Sequence, residues 1–227
     1  MKKNVMMRIA SFLLIAVLLT TCAISGTYAK YVTSASGSDT ARVAKWGVQI
    51  ATTTQGLFKD QYENDETIGS TAIGAGFSVD SEDGKFVVAP GTNGSVQFSI
   101  SGQPEVAVDV TIDMTVTKDV VIPKDTVVAG TPLAAPYTPV VFTLNNGISD
   151  IASGTLAQIE SALEAESTQY GANTNLAKTY TLSWAWAING NNDADTYLGN
   201  VAAGTVTDAN TITDIVYAFT ITVTQID

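Results

Sequence analysis

The chain has 227 residues, 45% of them hydrophobic and 15% charged, with 11 basic residues against 22 acidic ones. That composition supports one packed domain and is too apolar for a disordered chain, while the negative balance makes nucleic acid a poor partner. There is no His and the single Cys is Cys22, so a product without residue 22 has no disulfide, His or Cys zinc site, Cys nucleophile or Ser-His-Asp triad.

Residues 1–29 have the pattern of a secretory signal peptide. Lys2, Lys3 and Arg8 precede an apolar stretch from Ile9 to Leu19, and Ser25-Gly26-Thr27-Tyr28-Ala29 forms a small-residue exit. The stretch is well short of the roughly 20 residues that span a bilayer. Cleavage after Ala29 is therefore expected, with Lys30 as the new N-terminus, a secreted product at the cell surface or beyond, and no stable membrane anchor. Lipidation at Cys22 is the competing reading, against which Thr21 is bulkier than the small residue such sites carry. No apolar tail or wall-sorting signal closes the sequence, so covalent wall attachment is not expected. Cleavage removes three bases and no acid, leaving eight bases against 22 acids and a net charge of −14. The surplus reads as solubility and colloidal repulsion.

Residues 30–40 read as a flexible N-terminal arm whose only large apolar side chains are Tyr31 and Val32, followed by Thr33 and the small residues Ser34, Ser36, Gly37 and Ser38. From residue 41 to 227, period-two alternation predicts a single all-β domain. Strands are expected over Ala44 to Ile50, Val106 to Val116, Tyr180 to Ile188 and Ile215 to Val223, the last of them central in its sheet. Shorter ones are expected at Phe77 to Val79, Lys85 to Ala89, Ser95 to Ile100 and Pro139 to Leu144. A helix would scatter the six apolar side chains of Val106 to Val116 around its circumference; a strand puts them on one face. Turn chemistry separates the runs at Asp83-Gly84, Pro90-Gly91, Asn93-Gly94, Gly102-Gln103-Pro104 and Asn146-Gly147. One helix is expected from Thr155, with Gln158 completing a capping box and Leu156, Ile159 and Leu163 on one face. Asp60 to Glu66 and Asn189 to Asp195 read as polar loops, and no sustained repeat is present.

Asn189 to Asp195 is the nearest approach to a calcium loop, but it lacks the sixth-position Gly and twelfth-position Glu of an EF-hand. Asp80 to Gly84 reads as a hairpin turn. Trp184 and Trp186 share the parity of Leu182 and Ile188, which points to the core rather than to sugar stacking. No phosphate-binding, zinc-protease or nucleophile-elbow motif occurs. No catalytic, metal or cofactor residue is assigned, and no enzyme is expected.

The junction Gly26-Thr27-Tyr28-Ala29-Lys30-Tyr31 resembles the cleavage region of the TasA/camelysin family, exported Gram-positive proteins processed by a SipW-type signal peptidase. Ala89-Pro90-Gly91-Thr92, with the strands after it, resembles the turn and following strands of that family. The resemblance covers the leader and roughly the first half of the domain. It implies a jelly-roll-like β-sandwich that builds biofilm-matrix fibres, with the arm freed by cleavage, Lys30, Tyr31, Val32 and Thr33 foremost, completing the sheet of a neighbouring subunit. The metalloprotease activity described for camelysin relatives does not carry over to a chain without His.

The expectation is thus a signal peptide over residues 1–29, an arm over 30–40, and one jelly-roll-like sandwich with a single short helix over 41–227. Its partners are further copies or a related fibre subunit, and a signal peptidase during export. The alternatives are a monomeric surface-binding module or adhesin using loop residues near Asp193 and Asp195, and a hydrolase relying on carboxylates alone.

Overall fold

The computed structural model describes residues 10–20, 42–53, 56–62, 67–68, 71–72, 78–188 and 190–226. The chain divides into two units, Met1–Ala44 and Lys45–Asp227. In the first, the predicted apolar run is helical over residues 10–20 (α1). Its last turn is closed by the Thr20 hydroxyl, which donates to the carbonyls of Ala16 and Val17, each at 3.0 Å. The Ala29-Lys30 junction and the arm with Tyr31, Val32 and Thr33 lie outside the described residues.

The second unit carries the strands β1 (Val48–Thr52), β2 (Gln61–Tyr62), β3 (Thr67–Ile68), β4 (Thr71–Ala72), β5 (Val79–Asp80), β6 (Asn93–Gly102), β7 (Val108–Lys118), β8 (Val127–Val128), β9 (Thr131–Pro132), β10 (Val140–Asn145) and β11 (Asp150–Gly154). After these come helix α2 (Leu156–Glu164), β12 (Thr168–Tyr170), β13 (Leu176–Trp186), helix α3 (Asn192–Ala202) and β14 (Val216–Gln225). A five-stranded sheet runs β1-β6-β13-β10-β11 and a three-stranded sheet runs β12-β7-β14, with β2-β5, β3-β4 and β8-β9 as small pairs. Every strand pairing is antiparallel. The larger sheet turns Phe98, Ile100, Phe142, Leu144, Leu182 and Trp184 into the same core as Val110, Ile112 and Met114 of the smaller one. Phe98 and Phe219, from opposite sheets, bring their rings to 4.7 Å. The result is an all-β sandwich.

β7 is the clearest case of pattern becoming structure. Val108, Val110, Ile112 and Met114 are buried, while Thr111 and Asp113 between them and Thr115 after them are exposed. Burying side chains of this size contributes about 1.5–3 kcal/mol each, and a one-residue slip would put all of them in water. α2 begins where the capping box places it: the Thr155 N–H donates to Gln158 Oε1 at 2.9 Å. The half-buried Asp119 adds a second tie, accepting from the N–H groups of Leu156 and Val120 through its two oxygens at 3.1 and 2.9 Å. Leu156, Ile159 and Leu163 are fully buried against β7, β10 and β11, so α2 bridges the two sheets along one side.

Several expectations are corrected. β1 begins at Val48, not Ala44, and Trp46 and Ile50 are exposed. Gly47 adopts φ +61° and breaks the extended run. Its carbonyl oxygen lies 1.9 Å from where a Cβ on Gly102 would sit, so the backbones meet there because both residues lack a side chain. Asn93-Gly94 is not a turn but the start of β6. The turn is confined to Pro90-Gly91-Thr92, where Thr92 Oγ1 donates to the Ala89 carbonyl at 2.7 Å and accepts from the Ala89 N–H at 3.0 Å. Of Lys85 to Ala89 only Val87 pairs, in an isolated bridge to Lys59. Asp60 to Glu66 is not all loop: Tyr62 is a buried strand residue whose hydroxyl donates to the Val87 carbonyl at 3.0 Å. Of Asn189 to Asp195, Asn192 to Asp195 are not loop but the first turn of α3, a second helix within this unit where one was expected; Asn189 lies outside the described residues. The last strand, expected at the centre of its sheet, lies at its edge.

Candidate functional site

β14 pairs with β7 over its whole length, from Val216 opposite Lys118 to Gln225 opposite Val108, and among the described residues it has no other strand partner. Its side chains alternate as a strand's must. Val216, Ala218, Thr220, Thr222 and Thr224 are exposed; Tyr217, Phe219, Ile221 and Val223 turn inward yet reach only half-burial. In the inward row of β7, Val108, Val110, Ile112 and Met114 are buried: β14 flanks the strand on one side, and on the other β12 pairs with Val108 to Val110 and α2 packs against it. Among the described residues β14 is flanked on one side only.

The core beside that edge is incompletely filled. A cavity of about 120 Å³ lies between the sheets, lined by Val96, Phe98, Met114, Leu182, Tyr217 and Phe219 among others, with Thr52 of edge strand β1 on its wall. A wider groove of about 630 Å³ runs beside the start of β14, between Phe58, Phe86 and Val88 on one bank and Ile215 and Val216 on the other. Phe86 is 68% exposed. At the rim, Asp83 pairs with Lys85, and Lys118 Nζ lies 2.9 Å from Asp214 Oδ2. The hydrogen bond from Lys85 draws the Asp83 carboxyl down to about 2. Burial, in turn, raises the Tyr217 hydroxyl above its ordinary value. Among the described residues the sandwich is thus bridged by α2 against β7, β10 and β11 and open on the side where edge strands β1 and β14 meet the cavity.

The edge is also unguarded. Exposed edges are commonly blunted by Lys, Pro, a bulge in mid-strand or short length. From Val216 to Gln225 there is no charged residue and no Pro, and the one register irregularity falls at the end, between Val216 and Tyr217. No signal in the sequence marked this edge: periodicity does not separate an edge from a centre, and a strand without charge reads as a central one.

The polar residues considered for binding have structural employment. Asp195, in the first turn of α3, accepts at one oxygen from the Tyr137 hydroxyl at 2.6 Å and from Trp186 Nε1 at 3.1 Å. It pins the helix to the end of the larger sheet, and with burial it raises the Tyr137 hydroxyl. Asp193 shares that first turn and is exposed, so both carboxylates on which a calcium loop or a loop-based binding module was reasoned stand on a helix. Trp184 is buried and donates from Nε1 to the Leu57 carbonyl at 2.8 Å. Asp80 ends β5 and the chain turns over Ser81 to Gly84, with Ser81 Oγ donating to Asp83 Oδ1 at 3.0 Å and Gly84 at φ +69°; the expected hairpin is not formed, since β5 pairs with β2 and Val87 bridges to Lys59. Among the described residues no group of three His, Cys, Asp or Glu could hold a metal ion, and no helix is long and apolar enough to cross a membrane.

Comparison with protein-family models, with curated proteins and with solved structures finds no match to this chain.

Proposed function

We propose that the chain is the precursor of a secreted structural subunit, a jelly-roll-like sandwich that assembles into surface or biofilm-matrix fibres once a signal peptidase has cut between Ala29 and Lys30. The arm beginning Lys30, Tyr31, Val32 and Thr33 leaves its own subunit and adds as a strand to the next. The acceptor is β14, and the observation that carries the reading is its long, uncharged, half-covered edge. An added strand would satisfy a row of backbone donors and acceptors and cover Tyr217, Phe219, Ile221 and Val223 from their open flank. Fully extended, residues 30–40 reach about 36 Å at about 3.3 Å per residue, enough to follow a ten-residue strand. Because donor and acceptor are different surfaces, the contact is head-to-tail, and one whose rotation does not close yields a filament.

Electron microscopy of the chain starting at Lys30, beside one starting at Ala41, tests the reading. Filaments are expected only from the longer chain. Equal numbers in both samples would remove the arm from the mechanism, and none in either would remove the fibre.

A further inference from the structure

The edge of β14 is complementary to itself. In an antiparallel pair of identical strands, only registers that keep inward residues opposite inward residues preserve both apolar faces. Centred on Thr220, the pairing puts Tyr217 opposite Val223 and Phe219 opposite Ile221 in both halves, so every half-buried side chain of the row meets an apolar one. Aromatic residues opposite β-branched ones are favourable cross-strand pairs. Centred one residue later, on Ile221, the same strand would set Tyr217 against the polar Gln225. No lysine, proline or charge stands on the strand to oppose the Thr220 register.

We infer that, until an arm arrives, β14 pairs with the β14 of a second copy across a two-fold axis at Thr220, joining two three-stranded sheets into one of six. The inference rests on the assembly reading above and adds regulation to it. The two-fold contact is isologous and closes on itself, so it makes a dimer and stops. Dimer and fibre need the same edge, and a subunit held in one is withheld from the other. Arm addition must therefore displace a partner, which sets a lag before growth. Each mature copy carries a net charge of −14, and the exposed Asp113 sits one strand in from the edge, opposite Thr220 on β7. Like charges on the two copies repel across the axis, so salt strengthens the dimer.

The mature chain starting at Lys30 has no Cys, which allows a clean cross-linking test. Directly opposed Cα atoms in an antiparallel pair lie about 4.5–5.5 Å apart, within the roughly 4.4–6.8 Å that a disulfide bridges. The Thr220→Cys chain, mildly oxidised while dilute, is expected to run mostly as a covalent dimer. Thr222→Cys, also exposed, would have its two sulfur-bearing residues about 13 Å apart along the strands at about 3.3 Å per residue, and is expected not to cross-link. The oxidised Thr220→Cys dimer should seed no filaments until reductant is added.

Failure of Thr220→Cys to cross-link, or equal cross-linking of both variants, overturns the dimer, and filaments from the reduced protein would then leave the fibre reading standing. A selective Thr220→Cys dimer, with no filaments from the unsubstituted chain starting at Lys30, supports the dimer and overturns the fibre. Filament growth from the oxidised dimer at the rate of the reduced protein overturns the competition for one edge.

Discussion

Replacing Gly94 with alanine should destabilise the fold far more than an exposed-looking Asn-Gly pair would suggest. A Cβ at Gly94 would stand 2.2 Å from the Leu57 carbonyl oxygen and 2.7 Å from Trp184 Nε1. Those two atoms form a buried hydrogen bond at 2.8 Å, so the methyl group would strike both ends of it. The neighbours have little room to yield, because Leu57 and Trp184 are both buried and the Trp184 ring is packed against Phe58 and Tyr62, at 5.4 and 6.1 Å. Overpacking of this kind costs about 1–3 kcal/mol. Separating the indole N–H from its carbonyl adds about 1–3 kcal/mol for buried groups left unpaired. A loss of about 3 kcal/mol lowers the midpoint of thermal unfolding by about 6–12 °C in a domain of this size. Urea unfolding followed by tryptophan fluorescence measures the loss directly. A Gly94→Ala chain within about 0.5 kcal/mol of the parent would refute the close approach on which the estimate stands.

Asp119→Ala should cost about 1–2 kcal/mol in urea titrations by stripping the Leu156 and Val120 N–H groups of their acceptor. Asp119→Asn keeps one acceptor oxygen and should cost less. Burial raises the Asp119 carboxyl in the folded chain, so its contribution is fullest below the unfolded carboxyl's ordinary value and declines as pH rises through the folded one. Asp119→Asn should flatten that limb of the stability curve. Tyr137, Tyr180 and Tyr217 are all raised, burial first among the causes and carboxylate contacts next for Tyr137 and Tyr180. Their stabilisation is present below the unfolded tyrosine value of about 10 and is lost as pH climbs through the higher folded values. Tyrosinate absorbance and circular dichroism should change together in one alkaline transition, and these tyrosines titrating near 10 in a still-folded chain would contradict it. Gly199→Ala, on the exposed face of α3 with nothing within 4 Å of the new Cβ, should stabilise by about 0.5–1 kcal/mol in the same urea assay.

Alternation predicted β7, β13 and β14 because half-buried strands write their two faces into every second residue. Their ends moved by a few residues, as at β13, which starts at Leu176 rather than Tyr180. α2 was legible for a different reason: its capping box and its three apolar residues act locally, and nothing distant has to be known to place it. α3 was not legible. Asn192-Asp193-Ala194-Asp195 reads as polar loop until Asp195 is seen to be bound by Tyr137 and Trp186, one of them 58 residues away in the chain. Gly94 misled for a similar reason. An Asn-Gly pair is a strong turn signal, but here the missing side chain leaves room for a carbonyl and an indole brought in from residues 57 and 184.

The candidate site was harder to read than the fold because an edge is a property of what is missing. Tyr217, Phe219, Ile221 and Val223 have the same sequence character as the inward row of β7, and only the order β12-β7-β14 tells them apart. On the other side of the sandwich the chain supplies its own cover: α2 lays three fully buried residues across the sheets and ties its first turn to Asp119. Beside β14 the cover among the described residues stops at Phe58 and Phe86, with a groove left open between them and Val216. A strand added there needs no new core. It needs only to extend a ladder and shield four side chains already facing inward, at about 25 cal/mol for each Å² of apolar surface covered. By the same economy the edge would, under the proposed assembly, have two suitors: anything extended and mostly uncharged can satisfy it, and the copy of β14 on a second subunit is always present at equal concentration. Under the assembly proposed above, which of them holds the edge depends on the freeing of the arm, and a cut at Ala29 would govern the timing of assembly as well as release from the membrane.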